Sequence, residues 1–249
     1  MNKSRLIDQI ILIVLLIGVS TFPVTYFVHD FFWYYTIEAL MMLAVLLFIL
    51  YFDKKHVDIY GYHKKINWIN VLWLLPAITV AFSNLIYALF LKEEPVNGFG
   101  WFSIPHAAFI ILNCVVEEYI FRKHLLGNLT HPKTIIRILI SAAIFAACHL
   151  TIFFSTFNPL SLVVVAYTFG LGMVLGLIYC YTNSLGACII FHVMFNMLND
   201  FLFESLFFVN NPLWYYLINA IITVIVGVYL FIVYWFKLRK NPAELGFYA

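Results

Sequence analysis

Two adjacent glutamates, Glu117 and Glu118, lie inside an otherwise apolar stretch of this 249-residue chain, FSIPHAAFIILNCVVEEYIFRKHLL. An ionised carboxylate in hydrocarbon is costly, so each needs a reason. Two in a row need a stronger one, because like charges at close range do not ionise comfortably together. Glu118 and Arg122 are four residues apart, share one helical face and can pair. Glu117 points about 100° away and is left for another task, such as general acid or base chemistry. The plain alternative is a glutamate that reaches water at the helix end, or one held by a basic residue for structure alone.

Two further clusters carry polar chemistry on apolar stretches. The first is FAACH, residues 145–149, which ends in His149. Its small neighbours Ala142, Ala143, Ala146 and Ala147 would admit a second helix closely. The second is HVMFN, residues 192–196, where His192 and Asn196 stand at i and i+4 on one face. Two such donors can polarise a carbonyl or hold a developing oxyanion. The plain reading of each is a hydrogen bond within or between helices.

The elements that must position these residues are membrane helices. The chain is 64% hydrophobic and 10% charged, against about a quarter charged in soluble domains. Its mean hydropathy is +0.97. Apolar runs of about 20 residues mark spans, and eight are expected: 6–27, 32–52, 68–91, 101–121, 136–156, 160–181, 185–206 and 212–236. The fold class is therefore all-α, a single polytopic membrane domain over 1–249. Within it, 1–100 are N-terminal helices, 101–206 a catalytic core, and 207–249 the last helix and a tail. The first run lacks a small-x-small cleavage site before Pro23, so it reads as a retained helix.

Basic residues set an expected orientation. Thirteen of the 14 Lys and Arg residues fall at the two ends or in even-numbered loops, and only Lys92 falls on the other side. The positive-inside rule then places both termini in the cytoplasm. Counting from the expected helix ends, Glu117, His192 and His149 lie roughly 8, 12 and 18 Å below the cytoplasmic surface. That spacing points to a shared polar cavity reached from the cytoplasm or inner leaflet.

Other features are less specific. Gly172 and Gly176 form a GxxxG packing face beside Gly170. Cys114, Cys148, Cys180 and Cys188 have no metal-type spacing and read as buried free thiols. Glu38, Asp200, His29 and His106 read as residues near the outer interface. No basic surface suggests nucleic acid. No internal repeat supports a coupled transporter.

The order EExxxR, FxxxH and HxxxN, with the run GLGMVLGLIYCYTNSLGACIIFHVMFN, resembles the CPBP family. These are the CAAX-prenyl-protease and bacteriocin-processing intramembrane proteases, also called Abi proteins. The resemblance covers about residues 105–200. It implies an endopeptidase of the cell membrane, acting near the cytoplasmic face on a membrane-associated peptide or protein. It further implies that Glu117 and His149 activate water, that His192 and Asn196 bind the oxyanion, and that Glu118 and Arg122 hold the site together. Zinc on Glu117, His149 and His192 is the alternative to a metal-free site. A non-catalytic immunity or regulatory scaffold is the rival to an enzyme. The resemblance leaves the substrate and the oligomeric state open.

Overall fold

A computed structural model describes residues 3–22, 24–56, 72, 75–83, 104–129, 133–157, 159–182, 184–203 and 212–238. Among the described residues the regular structure is helical throughout. In chain order the α-helices are α1 (Lys3–Ser20), α2 (Phe31–His56), α3 (Ala77–Ala81), α4 (Ile104–Glu118), α5 (Thr134–Cys148), α6 (Leu150–Thr156), α7 (Leu160–Thr182), α8 (Leu185–Phe203) and α9 (Pro212–Val233). π-helical segments extend α4 through Tyr119–Leu126 and α9 through Tyr234–Leu238.

Among the described residues five stretches are long and apolar enough to cross a bilayer: Phe31–Tyr51, Ile104–Leu126, Thr134–Phe154, Ser161–Thr182 and Leu217–Phe236. They fall on five of the eight expected spans. Ile7–Ser20 and Leu185–Leu198 are apolar but shorter than the roughly 20 residues a span needs. Most of the expected span 68–91 lies outside the described residues, as do Asp200's side chain, Lys64, Lys65 and Lys92.

Local chemistry fixes where helices start. Asp30 caps α2, its Oδ1 accepting the Trp33 amide at 3.1 Å. Ser184 caps α8 in the same way, its Oγ accepting the Ala187 amide at 3.2 Å. The α8 cap sets the register in which His192 and Asn196 are presented.

Two apolar clusters flank the polar residues. One joins α1, α2, α4 and α5 through Leu16, Met42, Ile120, Phe121 and Phe145. The other joins α3, α7, α8 and α9 through Val80, Val174, Leu175, Phe195 and Leu230. On α9, Ile221, Val224, Ile225, Val228 and Ile232 are exposed at helical spacing. A stripe of this kind suits contact with lipid rather than water.

The glycines of α7 let α5 approach it. A Cβ on Gly172 would lie 3.1 Å from the Ala142 backbone and 3.1 Å from the Phe145 ring, and one on Gly176 would lie 2.9 Å from Ile138. The small-residue face of α5 therefore meets the glycine face of α7, and the contact presses on the ring one turn before His149. Gly172→Val should lower the unfolding midpoint in detergent, with an overpacking cost of about 1–3 kcal/mol. Gly227→Ala, with nothing within 4 Å of its new methyl, should not destabilise. Equal midpoints for the two variants would contradict the close approach.

Candidate active site

Glu118 and Arg122 are fully buried, and Arg122 Nε lies 3.1 Å from Glu118 Oε2. The Arg122 guanidinium also sits 4.9 Å from the centre of the Phe145 ring. Arg122 is counted above among loop charges. It lies instead inside a helix, because α4 runs on as a π-helix through Leu126. Arg137, counted with it, is also buried, donating to Leu129 O at 3.3 Å and Thr134 Oγ1 at 3.2 Å. Glu117 consequently stands nine residues before the helical end, about 13 Å rather than 8 Å. The π-helix begins directly after the glutamate pair, and such segments are frequent at functional sites. Its Phe121 carbonyl accepts the Ser141 hydroxyl at 2.9 Å, which ties α5 to the widened turn.

His192 bridges the two glutamates. Its Nδ1 lies 2.9 Å from Glu118 Oε1, and its Nε2 lies 3.6 Å from Glu117 Oε2. An ionised carboxylate only accepts, so Nδ1 carries the proton toward Glu118. Asn196 donates through Nδ2 to Cys114 Sγ at 3.3 Å. Both expected oxyanion donors are thus already engaged with α4. Sulfur is a weak acceptor, so the Asn196 amide is the more easily released of the two.

His149 stands at a joint. Its amide turns to Ala146 O at 3.0 Å instead of to Phe145 O, and its ψ is −5°. This breaks the expected 136–156 helix into α5 and α6. The carbonyl of Phe145 is met by His149's own Nδ1 at 2.9 Å. A carbonyl cannot donate, so Nδ1 carries the proton, and in the neutral ring Nε2 holds a free lone pair. Phe145 packs edge-on against Phe121, His149 and His192, at 5.0, 4.9 and 6.0 Å between ring centres.

Glu117 and His149 line one cavity of about 210 Å³. Two helical ladders form facing walls: Tyr34, Glu38 and Met42 on α2, and Phe109, Asn113, Glu117 and Phe121 on α4. Asn113 Nδ2 donates to Glu117 Oε1 at 3.0 Å and fixes the carboxylate. His192 and Asn196 lie behind this wall rather than on it.

The position of the cavity changes one sequence-based expectation. Glu38 is no interfacial residue; it is 5% exposed and lines the cavity. The cavity takes the C-terminal ends of α1 and α5, the N-terminal half of α2, and the stretch from Phe109 to Phe121 along α4 and its π extension. On α5 it lies at the end away from Lys133.

Among the described residues no three His, Cys, Asp or Glu side chains cluster as metal ligands would. Glu117, His149 and His192 do not form the expected two-histidine, one-carboxylate set. His192 is instead turned between carboxylates on both sides, and His149 Nδ1 is held by its own helix.

Removing one member of a buried ion pair costs about 3–5 kcal/mol, whereas replacing both with apolar groups is far less costly. Arg122→Ala should therefore unfold at a markedly lower midpoint than wild type, and Glu118→Leu/Arg122→Leu should recover part of the loss. If thermal unfolding of the purified protein shows Arg122→Ala unchanged, Arg122 does not stabilise the buried Glu118 carboxylate.

Residues 99–198 match a family model described as type II CAAX prenyl endopeptidase Rce1-like. A comparison with curated proteins finds no match. The matched segment runs from just before α4 to near the end of α8 and contains Glu117, Glu118, Arg122, Phe145, His149, His192 and Asn196. Glu38 lies outside it. Over residues 99–198 the chain is similar to this Rce1-like CAAX endopeptidase family, in agreement with the resemblance its ordered motifs carry.

Proposed function

We propose that the protein is an intramembrane endopeptidase that hydrolyses a peptide bond in the cavity between α2, α4 and the α5–α6 joint. The observation that carries this reading is one cavity lined by both Glu117 and a His149 with a free Nε2. A water placed between them would donate one hydrogen to the carboxylate and the other to Nε2. Its oxygen lone pair would then face the scissile carbonyl. Glu117 takes the proton as the oxygen attacks, and the proton passes on to the leaving amine nitrogen. Asn196, once released from Cys114, would donate to the oxyanion, and His192 would orient Glu117 while anchored to Glu118. No step here requires a metal.

The cavity has room for one large side chain and a water, since a water occupies about 30 Å³. A substrate would therefore enter as an unwound segment rather than as a folded helix. Such a substrate suits maturation of membrane-associated peptide precursors at the plasma membrane, or self-immunity against a peptide toxin.

General acid–base groups contribute about 10²–10⁴-fold, so Glu117→Gln and His149→Ala should each lower turnover by at least about a hundredfold. Comparison of membrane peptidomes from cells carrying wild type and Glu117→Gln should reveal an uncleaved precursor. Indistinguishable peptidomes would sink the protease reading. Metal content is measured alongside: stoichiometric zinc with chelator-sensitive cleavage would replace the metal-free route.

Access is tested separately. With the basic end in the cytoplasm, Ser20→Cys and Thr151→Cys, each made in a Cys148→Ser background, should react with a membrane-impermeant thiol reagent applied to intact cells. Reaction only in inverted vesicles would reverse the assigned orientation.

A further inference from the structure

Glu38 is a carboxylate that the proposed chemistry does not use. It lies on α2, is 5% exposed, and faces the same cavity as Glu117 and His149. Among the described residues it has neither a cationic partner nor a hydrogen-bond donor. No lysine or arginine lines the cavity. Tyr34, one turn away on the same helix, lines the cavity with it. An acidic residue at membrane depth without a partner is costly and marks a functional role by default.

The surroundings narrow that role. Glu38, Glu117 and His149 do not converge on one point as metal ligands would. Glu38 shares the cavity wall with apolar side chains, including Leu16, Ile17, Met42 and Ile152. An apolar sleeve ending in a carboxylate complements the aliphatic stem and charged head of lysine or arginine. The cavity volume allows one such side chain beside the attacking water.

We infer that Glu38 is the residue that selects substrate, by taking a lysine or arginine side chain next to the scissile bond. The inference rests on the protease reading for its location, but it is tested by binding alone. The full-length Glu117→Gln protein in detergent is titrated with fluorescent apolar ten-residue peptides. The peptides have randomised flanks and one central position fixed as lysine or as norleucine. A charge-assisted hydrogen bond in such a site should favour the lysine pool by about tenfold or more.

Glu38→Gln, made in the same background, should erase the preference, Glu38→Asp should retain part of it, and Glu38→Lys should transfer it to peptides with a central glutamate. Each variant is checked for an unchanged elution volume and unfolding midpoint. Equal binding of the two pools, or a lysine preference that survives Glu38→Gln, overturns the inference. Cleavage of the same pools by protein with Glu117 intact reports separately on the protease reading. Cleavage without a Glu38-dependent preference leaves that reading standing and removes this one.

Discussion

The buried link Arg122–Glu118–His192 is the constraint on which the arrangement of the core depends. Glu118 and Arg122 have no exposure, so neither can exchange its partner for water. An unpaired carboxylate or guanidinium in that position would cost more than the fold can spare. Glu118 therefore requires both Arg122 on its own helix and His192 on α8, 74 residues away. Once α8 is held there, His192 Nε2 is directed toward Glu117 and Asn196 toward Cys114. The second carboxylate is then free to face the cavity, held on one oxygen by Asn113.

The aromatic ring of Phe145 transmits this constraint to the other side of the site. It touches the Arg122 guanidinium and packs against His149 and His192. Behind it, Gly172 leaves no room for the ring or the helix to retreat. The break at His149 then does two things with one rearrangement of hydrogen bonds. It ends α5, and it assigns the imidazole proton to Nδ1, which leaves Nε2 as the nitrogen with a lone pair. A backbone irregularity and the tautomer of His149 thus have the same origin.

Much of this was legible in the residues. The apolar composition dictates membrane helices, and the i,i+4 spacing of Glu118 and Arg122 puts them on one face because a helix repeats every 3.6 residues. The glycines of α7 and alanines of α5 announce a close contact. The span count was less legible: Ile7–Ser20 and Leu185–Leu198 form apolar helices shorter than a bilayer crossing. Glu38 was misplaced at the interface because hydropathy locates a charge along the chain and not across a bundle. Its signal was the Tyr34–Glu38–Met42 ladder, and the matching one was Phe109–Asn113–Glu117–Phe121.

The sequence by itself determined which polar residues interrupt the apolar helices and which helical face each would occupy, since both follow from residue type and local helical geometry. The tertiary structure decided their pairing. It gave Glu118 to His192 as well as to Arg122, set His192 and Asn196 behind the wall rather than on it, and brought Glu38 across from Glu117. These outcomes depend on where helices far apart in the chain meet, and on which buried charge must be neutralised first. Neither is a function of spacing along one helix.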